Sequence, residues 1–313
     1  MKKRMLGKTG IELSEVGYGC AALWGKDILG KQALTEDKAY EVFAVALKSS
    51  ISFFDTGFNY GYAEERLGRC IKRAVEEKII DSRTEIVLET KCGETLNPDG
   101  TYGEMNWSPD WIKKSLEIQL KRLKTDYIDL YAIHGECPKK QLGELLKTFE
   151  SLKTQGVIRA YGANSFNVDY LTWIAKEKCF DYVMPDYNIM RQEREPLIEI
   201  LVNSGVGVIA GSALGESLYS KSVFGIKTRN DFWYLARAIT RFRDLMSKSK
   251  DFRFLTKQKD YTANQLALRY VLDNPMISSA VFSTTRTDHL LDNLRAIDIE
   301  MPDSIKREIK RRS

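Results

Sequence analysis

Apolar residues along this chain gather into short compact runs separated by segments of helical periodicity. The runs are VGYGC, ISFFD, EIVLETK, YIDLYAIH, VIRAYGAN, YVMP, VGVIAG and SSAVFS. Runs of this length with little polar alternation read as strands covered on both faces, which is the habit of parallel sheets. Between them, apolar residues recur at spacings of three and four. Ala39, Val42, Phe43, Ala46 and Leu47 mark one helix face. Ile112, Leu116, Leu120 and Leu123 mark a second. Leu142, Leu145, Leu146, Phe149 and Leu152 mark a third, and Ala263, Leu266, Ala267, Tyr270 and Val271 a fourth. Local signals agree: Thr35 precedes two first-turn acids, Ser108-Pro109 supplies an N-cap and a first-turn proline, and Gly156 suits a helix end. Before the first run, LGKTGIELSEV reads as a hairpin turning at Lys8-Thr9-Gly10. Residues 92–107 read as a loop rich in glycine and asparagine, and 212–230 as a long loop. Residues 231–247 read as an aromatic-rich helix, and 287–312 as an amphipathic helical end.

Strand and helix alternate about eight times, with no low-complexity or linker-like stretch. That pattern predicts an α/β chain folded as one (β/α)8 TIM barrel over residues 1–313, with an N-terminal β-hairpin and extra C-terminal helices. An open doubly wound sheet would need a glycine-rich phosphate loop after its first strand. Gly17 and Gly19 begin such a motif, but Leu23 stands where its last glycine belongs. Gly205, Gly207 and Ala210 match its spacing, but they lead into a strand rather than out of one.

Polar residues end three consecutive apolar runs: Asp55, Lys91 and His134. Tyr60 follows Asp55 on the next loop. All strands of a parallel barrel end on one face, so these residues would meet at one mouth. A phenol with an ordinary pKa near 10 is a poor acid at neutral pH, and a lysine cation beside it favours the phenolate. Asp55 would hold Lys91 charged, and His134 could bond a substrate oxygen or relay a proton. The product is a general acid for a carbonyl oxygen, or a base for an alcohol. Nothing in that set carries electrons, so redox work needs a bound hydride donor.

Composition narrows the function classes. Net charge is +5 over 313 residues, too weak to argue for nucleic acid, with 43% hydrophobic and 29% charged residues as in ordinary soluble proteins. Solvated helix faces account for the basic clusters at 248–259 and 306–312. No stretch approaches the roughly 18 apolar residues of a membrane helix. The five cysteines form no CxxC, which suggests free thiols in a reducing cytoplasm, and two histidines make a histidine-rich metal site improbable.

The chain resembles the aldo-keto reductase superfamily nearly end to end, in its bacterial and channel-subunit-like branches. RMLGKTGIELSEVGYGC is similar to that family's opening hairpin and first strand, FFDTGFNYG to its aspartate–tyrosine signature, and ETK and AIH to its lysine and histidine strands. The resemblance implies NADP(H) as cofactor and a small carbonyl or alcohol as substrate. It implies Tyr60 as general acid, Lys91 tuning it, Asp55 supporting Lys91, and His134 orienting the carbonyl. NQLALRYVLDNP and SSAVFSTTRTDHLLDNLRAI look like the last repeat, which implies Ser283, Thr284, Thr285, Arg286 and Asn293 near an adenosine 2′-phosphate. Asn164 and Ser165 would hold the nicotinamide amide, with Gly211, Ser212 and Leu214 lining the cofactor elsewhere.

Four features depart from the family's pattern. Asn164-Ser165 inverts its Ser-Asn order, Met184 replaces a glutamine, Gly211 replaces an aromatic ring, and Ser283 stands for the phosphate-loop glycine. The leading expectation is an NADP(H)-dependent oxidoreductase of carbonyls or alcohols. The alternatives are a nucleotide-binding regulatory subunit with little turnover, or a redox-neutral enzyme that retains NADP(H). Trp24, Phe58, Trp107 and residues 218–224 are expected to shape the substrate mouth.

Overall fold

The computed structural model describes residues 1–24, 34–97, 101–219 and 243–312. The chain opens with the expected hairpin: β1 (Lys3–Met5) pairs antiparallel with β2 (Glu12–Ser14). Leu6, Ile11 and Leu13 of this hairpin are buried against Phe53, Val87, Leu130 and Tyr182, which places them as an apolar plug under the barrel. Gly7 makes the close approach possible, since a Cβ there would lie 2.5 Å from the Gly207 backbone nitrogen.

The barrel strands follow in chain order: β3 (Val16–Gly19), β4 (Phe53–Asp55) and β5 (Val87–Cys92). After β5 comes an antiparallel ribbon, β6 (Glu94–Leu96) and β7 (Tyr102–Met105), where the sequence pattern suggested only a loop. Then come β8 (Ile128–His134), β9 (Ile158–Asn164), β10 (Tyr182–Val183), β11 (Gly207–Ala210) and β12 (Ser279–Phe282). Strands β3, β4, β5, β8, β9, β10, β11 and β12 are parallel, and the ring closes where β12 pairs with β3. The chain therefore folds as the (β/α)8 barrel that its alternation predicted.

Helices α1 (Glu36–Lys48), α2 (Ala63–Glu76), α3 (Pro109–Leu123), α4 (Lys139–Thr154), α5 (Val168–Glu177) and α6 (Glu195–Ser204) cover the outside. Thr35 and Ser108 cap α1 and α3 by accepting from first-turn N–H groups. Their apolar faces form the larger core, between sheet and helices. Gly205 ends α6 in the left-handed region and Gly207 opens β11, so the glycine pattern at 205–210 is a helix stop followed by a strand.

Toward the C-terminus lie α7 (Arg243–Ser249), a 3-10 stretch (Lys250–Lys257) and α8 (Ala263–Leu272). The helical end is not continuous. It divides into α9 (Thr287–Leu294) and α10 (Asp303–Arg311), with Pro302 at the N-cap of the second. Among the described residues no helix is long and apolar enough to cross a membrane.

Candidate active site

Asp55 ends β4, Lys91 is the penultimate residue of β5, and His134 ends β8. Lys91 is 1% exposed. A buried ammonium costs several kcal/mol unless it is paired. Its partners are the Asp55 carboxylate, which it bonds directly, and the Thr56 carbonyl at 2.8 Å. Burial opposes the Lys91 charge, but Asp55, Tyr60 and Glu89 together outweigh it and hold the ammonium well above the ordinary lysine range.

Tyr60 stands on the loop between β4 and α2. The Lys91 Nζ lies 5.2 Å from the centre of its ring, and the His134 ring meets it edge-on, with centroids 5.8 Å apart. The four expected residues are thus brought together. Burial raises the Tyr60 pKa and Lys91 lowers it, while Asp55 and Glu89 raise it again. The net direction is upward. Lys91 does lower it, as a neighbouring cation should, but burial and the two carboxyl groups outweigh that effect.

A polar network behind the site holds β5 in place. Gln119 Nε2 donates to the Lys91 carbonyl at 3.0 Å and to Glu64 Oε1 at 2.8 Å. Thr90 Oγ1 bonds the same carboxylate at 2.6 Å, and Arg122 pairs with its other oxygen at 3.0 Å. Arg122 also donates to the Phe58 carbonyl at 3.3 Å, steadying the loop that carries Tyr60.

Two further carboxyl groups matter that the strand-end reading missed. Glu89 is fully buried among the apolar residues of the barrel interior, where it accepts from the Tyr182 hydroxyl at 3.0 Å. Burial pushes its carboxyl up to about 8, against the pull of Lys91. A charged residue inside the apolar run EIVLETK was the available signal. Glu94, the first residue of β6, places Oε1 2.7 Å from His134 Nδ1, and Asn59 Nδ2 donates to the same oxygen at 2.6 Å. No local pattern marks that pair.

The expected substrate residues fare unevenly. Phe58 does not face the mouth. It is fully buried, with the Tyr102 and Trp111 rings edge-on to it and the Arg122 guanidinium 4.9 Å from its centre. Trp107 is buried too, packed so closely on Gly93 that a Cβ there would lie 2.5 Å from the indole. The Trp24 side chain and residues 220–224 lie outside the described residues, while Leu218 and Tyr219 are buried.

The expected cofactor residues lie at the ends of β9, β11 and β12 and in the segments that follow. Asn164 Nδ2 donates to the Met184 carbonyl at 2.9 Å, which leaves its Oδ1 to accept from a carboxamide N–H. Ser165 Oγ accepts from Asn167 N at 3.2 Å. Gly211 bridges to Asp186 beside β10, and a Cβ on it would lie 3.1 Å from Met184 Cγ. Ser212 sits at a φ of 49°, with its carbonyl accepting from Asn188 Nδ2 at 3.1 Å, and Leu214 is buried. Ser283 Oγ donates to the Gly19 carbonyl, and the Thr284 carbonyl accepts from the Tyr18 hydroxyl at 2.6 Å. Thr285 and Arg286 are exposed, whereas Asn293 is 4% exposed and belongs to the packed face of α9. No side chain at the N-cap covers the first turn of α9, and Arg286 sits beside it. An acceptor at Asn164, a hydroxyl at Ser212, and a guanidinium beside an uncapped helix start together fit a nicotinamide dinucleotide.

The aldo/keto reductase family model matches residues 15–311. The chain belongs to the aldo/keto reductase family. Among curated relatives of this aldo/keto reductase is the uncharacterized oxidoreductase YqkF of Bacillus subtilis. It is 27% identical over 305 residues, covering 95% of this chain and 91% of the relative. The NADH-specific methylglyoxal reductase of Escherichia coli is 25% identical over 323 residues, covering 97% and 96%. Among solved structures, the holo form of aldo-keto reductase AKR11C1 from Bacillus halodurans superposes with a TM-score of 0.80 at 25% identity. That match covers 100% of this chain and 96% of the other. Among the described residues no group of three or more His, Cys, Asp or Glu side chains is placed to hold a metal ion.

Proposed function

We propose that this aldo/keto reductase interconverts a carbonyl compound and its alcohol by hydride transfer with NADP(H), using Tyr60 as the proton donor and acceptor. The observation that carries this reading is the Tyr60 phenol held beside the buried Lys91 ammonium and the His134 ring. The bound dinucleotide supplies or takes the hydride. The chain's own residues handle the proton. In reduction the Tyr60 hydroxyl donates to the developing alkoxide, and Lys91 stabilises the phenolate left behind. Asp55 and the Thr56 carbonyl keep Lys91 aimed and charged. His134 orients the reacting oxygen. Oxidation runs the same steps backwards, with the phenolate as base.

Arg286 supports a preference for NADP(H), since a guanidinium grips a 2′-phosphate where a ribose hydroxyl offers no charge. The name of the Escherichia coli relative specifies NADH, so the preference is a point to measure. A second reading, a nucleotide-binding regulatory subunit with little turnover, is favoured by one feature. The Asn164 amide already bonds the Met184 carbonyl, so the nicotinamide amide has fewer partners there. A screen of aldehydes, ketones and sugars with both reduced nucleotides, followed by the absorbance of the reduced cofactor, separates the two. Turnover with any carbonyl supports the oxidoreductase. Nucleotide binding without turnover supports the regulatory subunit.

A further inference from the structure

We propose that Glu89 is a positioning residue for the proton at Tyr60, acting through Lys91. While its buried carboxyl keeps its own proton, Lys91 answers to one carboxylate, Asp55, and can favour the phenolate. Once that proton leaves, a second negative charge draws on the same ammonium and returns Tyr60 to the hydroxyl form. This rests on the oxidoreductase reading above.

Glu89 and Lys91 are two residues apart on β5, so both side chains project to the same side, the barrel interior. Glu89 stands opposite Asp55 in the β4–β5 register and opposite Leu130 on β8. It is 0% exposed. Its Oε1 accepts from the Tyr182 hydroxyl of β10 at 3.0 Å, and its Oε2 is buried without a hydrogen-bond partner. The Lys91 Nζ bonds Asp55 and the Thr56 carbonyl instead. The ionisable groups that face Glu89 are therefore Lys91 on its own strand, Asp55 on β4, Tyr182 on β10, and Tyr60 on the loop after β4. The side chains around Tyr182 in the barrel interior are otherwise apolar.

A carboxylate with one donor for two oxygens is costly to bury. The neutral acid is cheaper, since Oε1 still accepts from Tyr182 while Oε2 carries the proton. Burial pushes this carboxyl up to about 8, so at neutral pH the site holds one ammonium and one carboxylate. In a dry interior a unit charge acts over several ångströms without a bond. Glu89 and Asp55 both raise the Tyr60 pKa, and Lys91 lowers it. The protons of Glu89 and Tyr60 are thus linked, and losing the first makes the second harder to lose. Alkaline pH then favours the hydroxyl that reduction needs and opposes the phenolate that oxidation needs.

The test is the pH profile of alcohol oxidation. In the parent, kcat/KM should climb with pH, flatten through the range where Glu89 ionises, and climb again. Glu89→Gln keeps an oxygen for the Tyr182 hydroxyl and cannot ionise. It should remove the shoulder and oxidise about tenfold faster than the parent on the alkaline side, a shift of about one pH unit in Tyr60. A folded Glu89→Gln variant that keeps the shoulder overturns the proposal. NMR of labelled glutamate carboxyl carbons supplies a second measurement, in which one glutamate of the parent should still hold its proton at neutral pH. Lys91→Met should push that titration higher. A parent in which every glutamate ionises in the ordinary range, roughly 4.3, overturns the proposal whether or not any variant folds. So does a folded Lys91→Met variant in which that glutamate titrates as in the parent. The spectra need no turnover, so the expected titrations in a protein inert to every carbonyl and alcohol would sink the oxidoreductase reading alone.

Discussion

The Lys91 ammonium stands 5.2 Å from the centre of the Tyr60 ring, with the Asp55 carboxylate bonded to it. Tyr60→Phe removes the hydroxyl at that point and almost no volume. Turnover should fall by roughly 10²–10⁴-fold, the usual contribution of a general acid or base. Nucleotide affinity, read by tryptophan fluorescence, should stay close to the parent's. A variant that keeps the parent kcat on every accepted substrate would remove Tyr60 from the assignment.

Lys91→Met acts on the same proton by another route. The cation lowers the Tyr60 pKa against burial and two carboxyl groups, so its loss should raise that pKa further. Oxidation, which needs the phenolate, should then begin only at more alkaline pH, and residual kcat against pH would show it. Removing one member of a buried ion pair typically costs about 3–5 kcal/mol, so a thermal melt of the variant must accompany the profile.

Glu89 offers a stability measurement that needs no substrate. Its carboxyl is pushed up to about 8 in the folded chain from an ordinary 4.5. At low pH both folded and unfolded chains hold the proton, and there is no difference between them. As pH rises past the unfolded value, the unfolded chain releases the proton first, so stability falls until the folded carboxyl ionises too. Glu89→Gln removes that drain while keeping an acceptor for the Tyr182 hydroxyl. Its stability relative to the parent should therefore improve as pH rises from 4.5 to 8, on the order of a few kcal/mol at the alkaline end. A stability difference that does not vary with pH would mean that the buried carboxyl is already ionised.

Arg286 and Asp288 form a two-point ion pair at the start of α9, with Nε 3.0 Å from Oδ1 and the second nitrogen on the other oxygen. A 2′-phosphate bound there would compete with Asp288 for the guanidinium. Arg286→Ala should weaken NADPH roughly tenfold or more and leave NADH almost unchanged. Asp288→Asn should strengthen NADPH relative to NADH, because the repelling carboxylate is gone. Titrating both nucleotides against the three proteins tests the pair, and equal changes for NADPH and NADH would rule out a phosphate grip.

The sequence by itself determined the barrel, because strand and helix periods are local and repeat about eight times. EIVLETK and YIDLYAIH each read as strands, and Val87–Cys92 and Ile128–His134 are strands. Where a strand ends is equally local, so Asp55, Lys91 and His134 could be placed at one mouth from strand order alone. What tertiary structure decided are relationships between segments far apart in the chain. Glu94 reaches His134 only because Gly93 turns the strand back into a ribbon, and no pattern in residues 92–107 states that turn. Phe58 looked like a mouth residue beside Tyr60, but Tyr102, Trp111 and Arg122 close over it from other elements. The sign of the Tyr60 shift likewise depends on burial and on Glu89, which are properties of the assembled interior. Neighbour identity in sequence names the lysine beside the phenol. Only the packed barrel sets how dry that pair is, and which carboxyl groups share it.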